Sequence, residues 1–324
     1  MSEKVVGSLF EFVEEVCSLQ NNLKRCPPIC YEELLFRGHA DKSYRIIPFL
    51  ARDRESQYSV SLFNHEHNMI AMAKYKRPDI FHNNLLPVEL LALLQHYGIP
   101  TRLLDVTENA LVALYFACSI KMKKDIWGNE SEVDGEVIVF KNGRIDMYTY
   151  PLVQAIADSY RLIGCTNIEI TLENFFDHAI IQPYFTEMKH LHDIWKSGSI
   201  KNDNNAPEWM KSASNWIKAN CQDPLFVYAP INTPRQRAQS GRYIIFPNRI
   251  TNSTYDPKEL AFASTIDEIS KDNNFIETRL IIPADIKRKI LNELEVFGIR
   301  KDNLFPENID LMCNEIINQC SKRL

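Results

Sequence analysis

One stretch of the sequence decides the fold: QHYGIPTRLLDVT, which runs from Gln95 to Thr107. It ends a helix that Pro87 begins, since proline is well tolerated at the first position of a helix. Gly98 follows that helix at the position where a left-handed residue closes many helices. Residues 99–102 then form a loop. The stretch therefore predicts a helix that stops just before the glycine and a change of chain direction after it.

The second half of the stretch leads into a central helix. The apolar run Leu103–Val106 predicts a short strand or a turn, and Thr107 is a good N-cap residue. We expect the next helix to run from Glu108 to about Met122. Its apolar side chains, Leu111–Ala117, cover nearly its whole circumference, which is typical of a helix buried in the core.

Helical and extended segments follow one another irregularly along the chain, which favours an α+β fold over a doubly wound sheet. We expect a mixed, mainly antiparallel sheet around the buried helix, with a helical insertion. The predicted strands occupy residues 34–38, 136–140, 225–229, 243–246 and 279–282. The chain is expected to divide into an N-terminal part of the domain (1–143), the helical insertion (144–224) and a C-terminal part (225–324).

The composition is that of an ordinary globular protein. Of 324 residues, 45% are hydrophobic and 24% are charged, and the formal net charge is −5. The pI of about 6.0 gives no basic nucleic-acid footprint for the chain as a whole. A local basic patch remains open as an alternative at four arginines: Arg235, Arg237, Arg242 and Arg249.

Neither a membrane location nor a metal site is predicted. The longest apolar run, Ala110–Ile120, is far shorter than the ~20 residues that span a bilayer, and the N-terminus has no signal-peptide pattern. Eight scattered cysteines without a C-x-x-C pair are typical of reduced thiols, so we expect a cytoplasmic protein. The pairs His65/His67 and His190/His192 fall on predicted helices, where positions i and i+2 point apart, so no metal is expected.

Several blocks of this sequence resemble the FRG family, a class of bacterial domains. The first is Phe36-Arg37-Gly38, and the most specific is the stretch Gln95–Thr107, in which Val106 stands where the family usually carries tryptophan. Two further blocks, Asp134–Val139 and Arg237–Tyr243, also resemble the family. The similarity extends over residues 35–306, although residues 144–224 match no block.

Arg37 and Gly38 are the first candidate site residues. A guanidinium at a strand end can bind a phosphate or carboxylate through two parallel hydrogen bonds, and a neighbouring glycine permits close approach. The alternative is a buried Arg–Asp pair that holds the fold, with Asp105 as the partner. We expect Arg37, Arg102 and Asp105 to lie in one cleft, because both charged motifs adjoin apolar segments that must pack together.

Polar side chains cluster around the turn of the central stretch. Convergence of such groups beside a buried helix suits a ligand site, and amides at the helix start near Glu108 would favour an anion. Structural roles are the alternative: Thr107 as a helix cap, His96 bonded to a backbone carbonyl, and Arg102–Asp105 as an ion pair. The candidates are His96, Thr101, Arg102, Asp105, Thr107 and Glu108.

Arg237 and Gln239 are the late candidates, because they precede a predicted strand and glutamine can bind an amide or a base edge. Gly241 would allow a ligand to approach closely. The alternative is a β-bulge with ordinary surface arginines.

The resemblance implies three classes of function. By analogy with the three-part layout of ADP-ribosyltransferases, Arg37 would hold the pyrophosphate of NAD, and Thr101 and Arg102 would position the nicotinamide ribose. An acidic group would stabilise an oxocarbenium-like transition state. That layout has a late glutamate where this chain has Gln239. Glu108 can take the place of that glutamate only if the side chain of Glu108 faces the pocket.

NAD is on this reading a substrate, and no resident cofactor is expected. The second class is a non-catalytic module that senses a nucleotide or a nucleic acid. The third is a protein-interaction component of a phage-defence or toxin operon, with an operon-encoded protein as its partner.

Overall fold

The computed structural model describes ten ranges of the chain. They are residues 2–26, 30–52, 62–124, 127–142, 146–147, 151–162, 169–186, 222–231, 233–256 and 260–307.

Fourteen strands occur within the described ranges. They are β1 (Ser2–Val5), β2 (Arg25–Cys26), β3 (Cys30–Tyr31), β4 (Glu33–His39), β5 (Leu103–Thr107), β6 (Met122–Lys124), β7 (Glu130–Glu132), β8 (Gly135–Asn142), β9 (Asp146–Met147), β10 (Leu225–Tyr228), β11 (Gly241–Ile245), β12 (Ile250–Asn252), β13 (Leu260–Phe262) and β14 (Ile276–Ile282).

The α-helices of the same ranges are α1 (Leu9–Asn21), α2 (Glu66–Lys76), α3 (Pro87–His96), α4 (Ala110–Ala117), α5 (Pro151–Asp158), α6 (Leu172–Ile180), α7 (Pro183–Thr186), α8 (Pro234–Ala238), α9 (Lys287–Val296) and α10 (Lys301–Leu304). Four short 3-10 turns accompany them: Phe49–Ala51, Leu62–His65, Ser159–Arg161 and Ala284–Ile286.

Eight of the strands form one sheet in the order β1-β14-β8-β4-β5-β11-β10-β9. The pairs at its two ends, β1 with β14 and β9 with β10, are parallel, and the five pairs between them are antiparallel. The expectation of an α+β fold with a mainly antiparallel sheet is therefore confirmed.

The sheet is weakly joined at its centre. Strand β4 pairs with β8 over seven successive residues, and β5 pairs with β11 over five. Between β4 and β5, by contrast, a single pair stands in register, Phe36 with Thr107. We call this contact the seam, because the strands that flank it separate on either side of one pair.

The two faces of the sheet carry different cores. Alternation along the strands sends successive side chains to opposite faces. On one face, Phe36 belongs to a core with α1, α4 and α9, and Tyr243 belongs to a second core with α3, α5 and α6. On the other face, Leu35, Val106 and their neighbours form one core that extends across the seam. The seam therefore lies between two helical layers on the first face.

Helix α4 is buried, as the apolar pattern predicted, and it lies directly against β4 and β8. Two glycines make this possible: a Cβ on Gly38 would collide with the backbone of Ala113, and one on Gly135 would collide with that of Ala117. The close approach that the sequence suggested at Gly38 is thus an approach of the chain's own helix.

The predicted bounds of that helix were wrong. Its N-cap is Asn109, whose side chain accepts from the amides of Leu111 and Val112. Thr107 instead ends strand β5, where pairing with β11 outweighs its preference for a capping position. The helix stops at Ala117 rather than near Met122.

The predicted insertion is described only in part, since its residues 144–145, 148–150, 163–168 and 187–221 lie outside the described ranges. Within it, every residue of α5 is buried, and the helix packs beside α3 in the same core. The division at residues 144–224 stays a prediction. Among the helices described, none combines the length and the apolar character needed to cross a membrane.

Candidate functional site

A cavity of about 240 Å³ lies over the seam, between the two helical layers. Strands β4, β5 and β11 form its floor, and the ends of α3, α4 and α8 form its sides. Its lining is Phe36, Arg37, Gly38, Gln95, His96, Asp105, Val106, Thr107, Val112, Ala113, Phe116, Thr233, Arg235, Gln236, Gln239, Gly241 and Tyr243. Six predicted site residues therefore come together here: Arg37, Gly38, His96, Asp105, Thr107 and Gln239.

Arg37 bridges the seam where the strands no longer pair. Its Nη1 donates to the backbone carbonyl of Asp105 on β5, and its Nε donates to Nε2 of His39 at 3.0 Å. Burial lowers the pKa of Arg37 to about 10; the nearby charge of Asp105 opposes this shift, and Arg52 adds to it. Arg37 therefore stays positively charged at neutral pH.

The guanidinium of Arg37 keeps hydrogen-bonding capacity. It has five N–H groups, of which two make the contacts to His39 and Asp105. The described residues offer no acceptor to the other three. Two bonds thus fix the position of the guanidinium while further donors remain for a ligand.

The carboxylate of Asp105 is exposed and lines the cavity. Within the described ranges it makes neither a hydrogen bond nor an ion pair. The floor of the cavity thus places an anionic group beside a fixed cation, close enough for Asp105 to influence the charge of Arg37.

His96 lies at the rim, where its Nε2 is 3.1 Å from a carboxylate oxygen of Glu307. The partner of His96 is therefore a carboxylate and not the backbone carbonyl that the structural alternative assumed.

The segment after α9 packs against several residues of the cavity lining. Gln239 donates from its amide nitrogen to the carbonyl of Leu304 at 3.0 Å. The guanidinium of Arg235 lies 4.7 Å from the ring centre of Phe305, and Phe116 makes an edge contact with the same ring. Gln239, proposed to bind a base edge, therefore uses its amide nitrogen to hold the chain.

Arg102 is not part of the cavity, so the prediction that it joins Arg37 and Asp105 in one cleft was wrong. Its side chain is 0% exposed and makes two hydrogen bonds to the carboxylate of Glu66 on α2. A third bond joins Arg102 to Asn248 at 3.0 Å. A buried guanidinium needs a carboxylate partner, and the sequence does not indicate that the partner is Glu66 rather than Asp105.

Thr101, Glu108 and Arg237 also lie outside the lining. Thr101 donates to the side-chain oxygen of Gln95 at 2.6 Å, so it positions a residue of the cavity without reaching it. Glu108 is paired with Arg242 at 2.8 Å and does not face the pocket. Arg237 is exposed.

Two of the four arginines of the proposed basic patch form ion pairs. Arg242 pairs with Glu108 and lies over the ring of Tyr228, and Arg249 pairs with Asp267. These ion pairs reduce the positive charge that a nucleic acid would meet.

Tyr243 and His39 are two of the polar residues that sequence reasoning missed. Tyr243 lines the cavity, and burial raises the pKa of its hydroxyl, with the negative charge of Asp105 acting in the same direction. In the sequence, Tyr243 is adjacent to Ile244 in a predicted strand, and this alternation could have indicated that the two side chains lie on opposite faces of the sheet. His39 follows the Arg-Gly pair directly, and only the three-dimensional contact with Arg37 shows what it does.

Comparison with known proteins gives one family. The family model described as FRG domain matches residues 32–126. This range includes the seam strands β4 and β5 together with α3 and α4, and it confirms the resemblance carried by Phe36-Arg37-Gly38 and the stretch Gln95–Thr107. No curated protein and no solved structure matches the chain.

Proposed function

We propose that the cavity over the seam binds an NAD-like nucleotide and cleaves its nicotinamide–ribose bond. The FRG domain model matches residues 32–126, a range that includes both strands of the seam. Arg37 and Asp105, both within the matched range, are the residues we assign to this activity.

The observation that carries the proposal is the exposed carboxylate of Asp105 in a cavity that also contains a fixed cation and aromatic rings. Phe36, Phe116 and Tyr243 supply apolar surface for a planar ring. Arg37 supplies donors for a phosphate or carbonyl oxygen. The cavity of about 240 Å³ suits one nucleoside-sized part of a dinucleotide, with the remainder outside.

Asp105 has the charge that this reaction requires. When the bond between nicotinamide and C1′ of the ribose breaks, the electron pair leaves with nicotinamide, and the sugar develops oxocarbenium character. An anion nearby stabilises that positive charge more in the transition state than in the ground state. Water, or a hydroxyl or amine of a target, then bonds to C1′ and loses a proton.

The direct test is incubation of the protein with NAD and measurement of released nicotinamide by chromatography, with binding measured separately by calorimetry. Asp105→Asn should retain binding and lose at least about 100-fold in rate, since charge stabilisation of this kind contributes several kcal/mol. Glu108→Gln is the matched control, because Glu108 is an acidic residue three positions along the chain that does not line the cavity.

Equal losses in Asp105→Asn and Glu108→Gln would contradict the assignment of Asp105. Failure of the wild-type protein to bind NAD would contradict the function itself.

A second candidate is a nucleotide sensor without turnover. Two observations favour it: the late position of the transferase layout is held by Gln239, whose amide holds the carbonyl of Leu304, and Glu108 pairs with Arg242. Saturable binding of NAD, ADP or AMP without release of nicotinamide would support this candidate. A protein-interaction role in a defence or toxin operon is the third, and the genes beside the coding sequence would test it.

A further inference from the structure

His39 is a buried polar residue that the proposed activity does not use directly. It lies two positions after Arg37 on β4 and is 3% exposed. Its ring has a polar partner on each side: Nε2 lies 3.0 Å from Nε of Arg37, and Nδ1 lies 3.1 Å from a carboxylate oxygen of Glu136 on β8. Tyr44 contacts the ring edge-on.

These two contacts determine the tautomer of His39. The Nε of an arginine always carries a hydrogen and can only donate, so Nε2 of His39 must be the acceptor. A neutral imidazole with a lone pair on Nε2 carries its proton on Nδ1. That proton is directed at Glu136. An ionised carboxylate has no hydrogen to donate, so Glu136 is the acceptor of this bond.

Two cations hold Glu136 in its ionised form. Lys271 lies 2.9 Å from one carboxylate oxygen, and Nε of Arg279 donates to the other at 2.8 Å. Burial alone would raise the pKa of Glu136, but hydrogen bonds from His39, Lys271 and Arg279 bring it below its ordinary value. The carboxylate is therefore a permanent acceptor for the Nδ1 proton.

From this arrangement we infer that His39 is a positioning residue, which fixes the plane of the Arg37 guanidinium at the seam through its Nε2 lone pair. The inference rests on the proposed function insofar as the positioned guanidinium binds the ligand. Two hydrogen bonds in different directions, to His39 and to the carbonyl of Asp105, leave the guanidinium little freedom to rotate. A ligand that bonds to Arg37 then meets a group already in place, which reduces the entropy lost on binding.

Protonation of His39 would oppose this arrangement, because two N–H groups would then face each other. Burial lowers the pKa of His39 to about 4; the hydrogen bond to Glu136 opposes this shift, and Arg37 and Lys271 add to it. His39 is therefore neutral at physiological pH, as the geometry requires.

The test compares His39→Gln with His39→Leu. Glutamine places an oxygen near the position of Nε2 and can still accept from Arg37, whereas leucine cannot. With NAD as the probe in calorimetry, we expect His39→Leu to bind about tenfold more weakly, the loss of roughly one hydrogen bond and its orientation. His39→Gln should bind within about threefold of wild type, a difference smaller than one such bond.

The second readout needs no ligand. In nitrogen NMR of the wild-type protein at pH 7, we expect His39 to carry its proton on Nδ1. We also expect the Nε–H of Arg37 to be protected from exchange in wild type and His39→Gln, but not in His39→Leu. A proton on Nε2 of His39, or equal protection in both variants, would overturn the inference.

The two readouts separate the two ideas. If the wild type does not bind NAD, the proposed function fails and the NMR result alone decides the inference about His39. If the wild type binds NAD and His39→Leu binds it equally well with an unchanged melting temperature, the inference fails and the proposed function stands.

Discussion

Loss of Arg37 should mainly abolish ligand binding, whereas loss of Arg102 should mainly lower the stability of the fold, although both arginines stand in family-like motifs. We take Arg37→Ala and Arg102→Ala as a matched pair. Each removes one guanidinium from the same domain. The guanidinium of Arg37 lies at the cavity and is held by a backbone carbonyl and a neutral imidazole. The guanidinium of Arg102 is held by the buried carboxylate of Glu66.

The cost of Arg102→Ala follows from its partner. The side chains of Arg102 and Glu66 are 0% and 4% exposed, so the substitution leaves a buried carboxylate without its cation. Such a loss destabilises a protein by about 3–5 kcal/mol. In a chain of this size each kcal/mol lowers the melting temperature by roughly 2–4 °C, so we expect a decrease of about 10 °C.

The cost of Arg37→Ala is smaller because no buried ion is left behind. The carbonyl of Asp105 and Nε2 of His39 each lose a hydrogen bond that contributes about 1 kcal/mol, and water that enters the cavity replaces part of it. We expect a total loss of about 1–2 kcal/mol and a decrease of only a few degrees in the melting temperature. Binding of NAD, in contrast, should be lost.

Thermal unfolding followed by circular dichroism and calorimetric titration with NAD, on both variants, test this reasoning. A paired change of Arg102 and Glu66 to methionine is the control, and it should recover most of the stability because it leaves no unpaired charge. If Arg37→Ala destabilises the protein as much as Arg102→Ala does, Arg37 is a structural residue and the site reasoning is refuted. If Arg37→Ala binds NAD like wild type, Arg37 is not a ligand residue.

Three further predictions test other features of the fold. Gly38→Ala should destabilise the protein by about 3 kcal/mol or more, because the new Cβ would overlap the backbone of Ala113; a melting temperature near wild type would contradict the packing described. Ser240→Gly should increase the free energy of unfolding in urea by up to about 1 kcal/mol, since Ser240 has a φ of 46°; a decrease would show that the serine side chain contributes more than the strain. Because the pKa of His39 falls from 6.5 to about 4 on folding, its neutral form stabilises the fold above pH 6.5, and this contribution is lost as the pH falls towards 4. Wild type should therefore lose up to about 3 kcal/mol more than His39→Gln over that range in urea titrations, and parallel pH profiles would contradict this.

The sequence predicted the parts of this molecule that depend on local pattern. The helix that Pro87 begins and Gly98 follows and the buried character of the helix around Ala113 both follow from spacing and residue type. For the segment at Leu103 the sequence left a strand and a turn open, and the structure has the strand. The exact start of that helix does not follow from the sequence. Thr107 and Asn109 are both good N-cap residues, and pairing between β5 and β11 decides between them.

The candidate site was predicted in its members but not in its pairings. Six of the ten chosen residues line one cavity, because the motifs that carry them flank the seam. Arg102 was misplaced because its partner, Glu66, lies 36 positions away in a helix with no distinguishing motif. Long-range pairs of this kind depend on how helices pack against the sheet, and residue spacing along the chain does not contain that information.

The seam also has a thermodynamic consequence for the whole sheet. Elsewhere the strands are joined by ladders of backbone hydrogen bonds, but β4 and β5 share one registered pair and the side chain of Arg37. A ligand that bonds to both Arg37 and Asp105 would add a cross-link between the two halves of the sheet. Occupancy of the cavity by a ligand would then stabilise the contact between β4 and β5. Ligand binding would therefore slow amide hydrogen exchange in β4 and β5 more than in the outer strands. The same linkage works in reverse: a substitution that tightens the seam without touching the cavity would change the affinity for the ligand.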